Sequence, residues 1–276
     1  MIGRRLFTAA LSLAAVIALV FLLLPLVAIF LRVPPGELFA QLGSEVAIDA
    51  IGVTLKANAI AQAVILVVGT PAAYLIASRG FRGRPFVVTL VELPLVLPPA
   101  VAGIGLLAAF GRLGLLGGTF DLLGVSISFT QTAVVLAVTY VASPFYLRQA
   151  IASFEALDHA LLDASRTLGA GPARTFVRIA LPLASKGLAA GAALSFARGI
   201  GEFGATIMFA GSLQGVTQTL SLAIYAQFDL NFEIALALGA LLVLASATIL
   251  LATKLLSAWT RSTSTSLFPF ARFGSS

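Results

Sequence analysis

The sequence predicts an all-α, polytopic membrane protein with six transmembrane helices. Hydrophobic residues make up 59% of the 276 residues and charged residues only 10%, and the mean hydropathy is +1.06. A chain this apolar is not an ordinary soluble domain. Long apolar runs alternate with short segments that hold most of the basic residues. We therefore interpret residues 1–276 as one transmembrane domain.

Each predicted span is an apolar run long enough to cross the bilayer, for which about 20 residues are needed. In chain order, we predict spans at 6–31, 51–78, 86–110, 130–147, 187–210 and 234–259. The first run is too long for a signal peptide and lacks a convincing cleavage site, so we expect it to be retained. There are no cysteines, so disulfides and thiolate metal sites are excluded.

The distribution of basic residues predicts that both termini lie in the cytoplasm. With that orientation most of the 17 Lys and Arg residues fall on the inner side. These inner residues are Arg4, Arg5, Arg79, Arg82, Arg84, Arg148, Arg166, Arg174, Arg178, Lys186, Lys254, Arg261 and Arg272. The net charge of +6 thus reflects membrane topology. No nucleic-acid motif accompanies it, so we expect lipid and no nucleic acid as a partner.

Polar side chains follow one face of the second span. Thr54, Asn58 and Gln62 recur every four residues, which places them on the same side of a helix. Because polar groups are costly in hydrocarbon, this face must point to a cavity or to a neighbouring helix. The sequence leaves both alternatives open.

Prolines interrupt the third span at Pro94, Pro98 and Pro99. Each proline removes a backbone donor and disfavours helix in the residue before it. The freed carbonyl groups need neighbouring helices or water. We therefore predict a broken helix that either lines a transport route or forms a packing kink. Glu92, just before the break, is a candidate to satisfy backbone donors or to pair with a basic residue.

The segment 148–186 between the fourth and fifth spans predicts a compact helical hairpin. Leu157, Leu161, Ala164 and Leu168 recur at helical spacing. A Gly-Ala-Gly-Pro run at 169–172 then ends one helix and begins the next, and Gly169 is expected to adopt a positive φ. Such a hairpin is either a simple surface link between two spans or a knob that a partner protein holds.

Ionisable residues lie within the predicted fifth span. Ser195, Arg198, Glu202 and Thr206 follow one another at spacings of three, four and four residues. An unpaired charge inside the membrane is expensive, so we expect Arg198 and Glu202 to form a pair. This pair either holds helices together or contacts a transported anion. The glycines nearby permit close helix approach.

Several functions find no support in the sequence. The chain has no Gly-Lys-Ser/Thr phosphate loop, so ATP binding through that motif is excluded. The single histidine, His159, has no second His or Cys near it, and we expect a solvated side chain and no metal site. No nucleophile–base or paired-carboxylate constellation is present. We therefore expect a protein that is not an enzyme.

The hairpin carries a resemblance to a known family. Asp163-Ala164-Ser165, Gly169 and, after nine residues, Ile179-Ala-Leu181-Pro182 resemble the motif with which permeases of type I ABC importers contact their ATPase. Asp163 stands in place of the family's Glu, and Ser165 in place of its second Ala. The segments 92–99 and 196–206 are similar to those of molybdate-type permeases, and sulfate permeases match the first of them less closely.

The resemblance implies a prokaryotic inner-membrane permease that imports an oxyanion, molybdate or tungstate, by alternating access. Sulfate or thiosulfate is the alternative substrate. It further implies a pair of identical permeases, two cytoplasmic ATPase subunits and an external oxyanion-binding protein. ATP and Mg²⁺ would bind the ATPase, and this chain would hold no cofactor. A more distant alternative is an ion-coupled secondary transporter, for which Glu92 and Glu202 are the available carboxylates.

Overall fold

The computed structural model describes residues 2–264, and every regular element in that range is helical. The helices are α1 Ile2–Arg32, α2 Pro35–Leu42, α3 Glu45–Ser78, α4 Arg84–Val96, α5 Pro99–Phe110, α6 Gly117–Leu122, α7 Gln131–Glu155, α8 His159–Thr167, α9 Pro172–Thr175, α10 Leu181–Ile200, α11 Gly204–Ala210, α12 Leu220–Phe228 and α13 Phe232–Ser264. A π-helical turn, Phe176–Ala180, joins α9 to α10. Arg272, assigned above to the cytoplasmic side, lies outside the described residues.

The helices confirm the all-α, multi-span fold class. Five of them are long and apolar enough to cross a membrane, and α4 with α5 makes a sixth span if the bent pair is counted as one. Helix α7 lies at the centre, where it packs against α3, α10, α11 and α4. Small buried residues such as Ala133 and Ala137 allow the helix axes to approach closely. Helix α1 lies at the periphery along α13, with its apolar side chains exposed.

The third span is broken where the prolines predicted it. Helix α4 ends at Val96, Leu97 and Pro98 are extended, and α5 starts at Pro99 after a bend of 113°. Pro98 and Pro99 have no N–H, so the carbonyl groups of Pro94 and Leu95 lose the donors that a continuous helix would provide. The break therefore follows directly from local backbone chemistry.

The prediction of a continuous fifth span at 187–210 is wrong. Helical residues run from Pro172 to Ile200, the helix then stops, and α11 begins separately at Gly204. The backbone N–H of Ala205 donates to the Glu202 side chain (2.8 Å to Oε1), so it does not donate to the Gly201 carbonyl as a continuous helix requires. A side-chain carboxylate has therefore replaced a backbone carbonyl as the acceptor of this N–H, and the helix is interrupted here.

Three other predicted boundaries shift for local reasons. Helix α3 begins at Glu45 and not at 51, because Ser44 caps it by accepting from the Ala47 N–H. Helix α7 extends to Glu155, and the next helix begins at Pro172, so the predicted loop 148–186 shortens to 156–171. The helix that forms the fifth span therefore begins at Pro172 and continues through the π-helical turn to Ile200.

Candidate functional site

The hairpin formed by α8 and α9 has well-defined ends. Asp158 caps α8 by accepting from the Ala160 N–H (2.9 Å). At the other end Gly169 has φ +83°, as predicted. The Ala170 N–H then donates to the Ser165 carbonyl (3.0 Å), which satisfies an orphan carbonyl of the helix. Because residues with a Cβ disfavour this conformation, glycine is needed at 169.

One side of the hairpin is fastened to the bundle. The hydroxyl groups of Ser165 and Thr175 lie 3.0 Å apart and link α8 to the start of the next helix. Both residues are buried, and so is Leu162, which belongs to a core cluster that includes Phe154. Ile179 and Leu181 of the motif pack against the same cluster, whereas Pro182 is exposed on α10.

The opposite side of the hairpin presents apolar side chains to the surface. Leu161, Ala164 and Leu168 are all exposed, and Leu168 has 88% of its surface accessible. An ion pair between Asp163 and Arg166 (2.9 Å) lies between them. Three members of the apolar pattern therefore lie on a surface that the other residues described, 2–264, leave exposed, whereas the fourth, Leu157, packs against the core cluster.

The polar face of α3 contacts neighbouring elements. Thr54 Oγ1 accepts from the Leu220 N–H at the start of α12 (2.8 Å). Gln62 Oε1 accepts from the Ser195 hydroxyl of α10 (2.9 Å). Asn58 lies against Gly199, where a Cβ would collide with its side chain. Of the two alternatives that the sequence left open, the structure shows helix packing.

Arg198 and Glu202 form the expected ion pair at the end of α10. Arg198 Nη2 lies 2.7 Å from Glu202 Oε2, and the Glu202 side chain is 1% exposed. Its other oxygen, Oε1, accepts from the N–H of Ala205, so the carboxylate joins the two halves of the broken fifth span. Thr206, one turn later, is fully buried, and its hydroxyl has no hydrogen-bond partner among the described residues.

A cavity of about 100 Å³ lies at the bend of the third span. Its lining is Pro94, Leu95, Leu97, Pro99, Ala102, Val141, Phe145 and Arg198. Val141 and Phe145 lie about 15 and 21 Å along α7, a helix about 37 Å long. The cavity is therefore near the middle of the bundle, and Arg198 is its one charged lining residue.

The two broken spans pack against each other beside this cavity. Helix α5 lies along α11, and the contact is tight at two glycines. A Cβ on Gly103 would lie 2.6 Å from the Ala205 carbonyl oxygen, and one on Gly204 would lie 2.7 Å from Pro99 Cβ. Real Cβ atoms do not approach other atoms so closely. Both glycines are therefore required by the contact between the two breaks.

Glu92, the acid next to the third-span break, has a different environment from Glu202. It pairs with Arg148 of α7 at 3.4 Å, and its side chain is 40% exposed. About two turns further along α7 a second ion pair joins α4 to α7, between Arg84 and Glu155. The predicted basic partner of Glu92 is present.

Sequence analysis missed a buried polar segment between α11 and α12. Thr217, Gln218 and Thr219 are all buried, and Thr217 Oγ1 accepts from the Leu213 N–H (3.0 Å). The signal available in the sequence was a polar triplet between two apolar runs, shortly after Gly215, which has φ +70°. Residues 2–264 contain no group of three side chains arranged to hold a metal ion.

Chains of solved transporter structures share this fold. A chain of a bacterial alginate ABC transporter, solved with an alginate-bound periplasmic protein, superimposes with a TM-score of 0.75 at 18% identity, covering 91% of this chain and 94% of that one. The MetNI methionine ABC transporter gives a TM-score of 0.59 at 19% identity, covering 77% and 95%.

The chain belongs to the family of binding-protein-dependent transport system inner membrane components, which it matches over residues 65–262. The molybdenum transport system permease protein ModB of Mycobacterium tuberculosis is 42% identical over 87% of this chain and 90% of its own length. A probable molybdenum ABC transporter permease of Haloferax volcanii is 40% identical over 72% of both chains. This protein is accordingly a multi-pass membrane subunit of a transport system.

Proposed function

We propose that this chain is the permease subunit of an ATP-driven importer for molybdate or tungstate. The observation that supports this substrate best is the 42% identity to molybdenum permeases over 87% of the chain. The contacts between α5 and α11, and between α3 and α10, involve the two segments whose sequences resemble molybdate-type permeases. Sulfate is the second candidate, because the permeases of that anion share part of the same pattern.

Uptake into proteoliposomes tests the substrate. The permease is reconstituted with its ATPase and binding protein, and ATP-dependent entry of radiolabelled molybdate is measured against a tenfold excess of tungstate or of sulfate. We expect tungstate to compete and sulfate not to compete. Competition by sulfate alone would replace molybdate with sulfate, and uptake without ATP would indicate an ion-coupled carrier.

We propose that the exposed face of the hairpin is the docking surface for a separate ATPase, which binds ATP and Mg²⁺. Asp163, Ala164 and Leu168 would contact the partner, while Ser165 and Ile179 fasten the hairpin to the bundle. An apolar surface beside an ion pair is typical of a protein interface. Because Ser165 connects α8 to the helix that continues into the fifth span, movement of the hairpin would reach the bundle directly.

Two glycines of one turn test the docking surface. Gly169→Val places a Cβ at φ +83°, which strains the end of α8, whereas Gly171→Val adds a Cβ with no atom within 4 Å at φ −67°. We expect Gly169→Val to insert normally but to lose ATPase co-purification and uptake by about tenfold. Gly171→Val should resemble wild type. Normal ATPase recovery with Gly169→Val would contradict the assignment.

We propose that two copies of the chain act together with an external binding protein and alternate between inward-open and outward-open states. Both termini would lie in the cytoplasm, and the ATPase contacts would supply the differential binding that shifts the population. Ser195 and Thr206 are fully buried, and the native chain has no cysteine. Single cysteines at these positions should react with an impermeant thiol reagent to an extent that changes with ATP and vanadate. Identical labelling of both cysteines in every nucleotide state would exclude α10 and α11 from the moving region.

A further inference from the structure

Arg198 has unused hydrogen-bonding capacity in the middle of the bundle. A guanidinium carries five N–H donors in a planar fork. Its Nη2 forms an ion pair with the Glu202 carboxylate at 2.7 Å. Nε and Nη1 donate no hydrogen bond to any of the described residues 2–264. The Arg198 side chain remains 27% exposed because it borders the cavity at the bend of the third span.

The remaining lining of this cavity carries no charged side chain. Its other seven residues are apolar side chains and prolines. Pro99 and Ala102 belong to the first turn of α5, a helix of 12 residues whose amino end carries positive partial charge. A guanidinium with free donors in such a low-dielectric site is stabilised by an incoming anion.

We propose that this cavity is an intramembrane transit site in which Arg198 binds a tetrahedral oxyanion. The inference rests on the proposed function, that the chain carries such an anion. A planar guanidinium matches two oxygens of an oxyanion with two parallel hydrogen bonds. The cavity volume of about 100 Å³ is large enough for an anion with four oxygens.

Glu202 competes with the oxyanion for Arg198, so the site binds the oxyanion weakly. Glu202 is fixed by the Ala205 N–H through Oε1, so its other oxygen stays beside Arg198 whether or not an anion is present. The bound oxyanion must share the guanidinium with this carboxylate and is repelled by it. A transit site needs this property, because an anion that binds tightly in the membrane is not released.

Direct binding to the assembled complex tests the site. Radiolabelled molybdate is equilibrated with the purified permease–ATPase complex in lipid nanodiscs, without the binding protein. We expect weak binding to wild type, a loss of about tenfold or more with Arg198→Gln, and a smaller loss with Arg198→Lys, which keeps the charge but not the fork. Arg32→Gln, at the exposed end of the peripheral α1, is the matched control and should bind like wild type.

The decisive variant is Glu202→Gln, because it retains the acceptor for the Ala205 N–H and removes only the competing charge. We expect molybdate binding to tighten by about tenfold while uptake slows, a combination that damage to the fold does not produce. Unchanged or weaker binding would overturn the role of Glu202. If Arg198→Gln fails to assemble, Arg198→Lys decides the site: binding and uptake equal to wild type would overturn it.

The outcomes separate this site from the proposed function. If wild type imports molybdate and the Arg198 variants bind and import it equally well, the transit site is wrong and the function stands. If wild type imports and binds only sulfate, with the same dependence on Arg198, the site stands and the substrate changes. If wild type neither imports nor binds any of these oxyanions, the proposed function fails and the site fails with it.

Discussion

The two broken spans reach similar shapes by different chemistry. The third span breaks at Pro98 and Pro99, where two successive residues lack an N–H group and restrict the backbone before them. The fifth span breaks after Ile200, where a carboxylate takes the N–H of Ala205. The first break is a property of the local chain. The second depends on Glu202 being buried beside Arg198, so it depends on the packed bundle.

The acids next to the two breaks show the same difference. Glu92 is 40% exposed and lies 3.4 Å from Arg148, whereas Glu202 is 1% exposed, lies 2.7 Å from Arg198 and also accepts from a backbone N–H. Exposed pairs contribute about 0–1 kcal/mol, and breaking a buried pair costs about 3–5 kcal/mol. Removing the acid should therefore destabilise the protein more at the fifth-span break than at the third-span break.

The largest expected effect comes from removing these acids one at a time. Glu202→Ala leaves Arg198 without its ion-pair partner and the Ala205 N–H without its acceptor. We therefore expect the free energy of unfolding to fall by about 3 kcal/mol. This is the lower end of the range for a buried pair, because Arg198 is partly exposed. Glu92→Ala should lower the free energy of unfolding by less than this, because its partner Arg148 is 70% exposed. Thermal unfolding of the purified chain measures both. Equal losses would remove the distinction between the two breaks.

A double-mutant cycle sharpens this test. Arg198→Ala with Glu202→Ala removes both charges, so the combined loss should be smaller than the sum of the two single losses. Additivity within about 0.5 kcal/mol would mean that the two residues act through different partners.

The contact between the breaks is tested by two glycines on α5. Gly103→Ala places a methyl group against the Ala205 backbone, which cannot rotate away. We therefore expect the free energy of unfolding to fall by about 1–3 kcal/mol. Gly105→Ala meets no atom within 4 Å and should stabilise the helix by about 0.5–1 kcal/mol. The sign of the difference in unfolding temperature checks the prediction. A destabilised Gly105→Ala would show that a further chain covers that face.

The smallest effect is expected from a single proline at the third-span break. Pro98→Ala should keep the bend, because Pro99 still restrains residue 98 away from helix, and stability should fall by about 0.5–1 kcal/mol. Replacing both prolines should straighten the span. Spin labels on the exposed residues Leu90 and Ile104 report the distance across the bend. A longer distance in Pro98→Ala alone would make this break as context-dependent as the other.

The hairpin shows how far a local pattern predicts a surface. Spacing alone predicted α8, the glycine turn and the positive φ of Gly169, and the structure agrees. The same spacing did not predict which side faces outward, because Leu162 and Ser165 are buried while Leu161 and Leu168 are exposed. That choice depends on where Phe154 and Thr175 lie, and both belong to other helices.

The all-α class, most of the apolar spans, the proline break and the turn at Gly169 could be predicted from the sequence. These features depend on composition, on missing N–H groups and on φ, which are properties of a few neighbouring residues. Tertiary structure alone decided that Thr54 accepts from Leu220, that Glu202 ends α10 and restarts α11, and that Arg198 borders a cavity made by another span. The first and the third bring together residues that are distant in sequence. In the second, a side chain accepts from a backbone N–H that would donate to a backbone carbonyl in a continuous helix. In a membrane interior such polar groups must find partners, and only the packed bundle determines which partners are within reach.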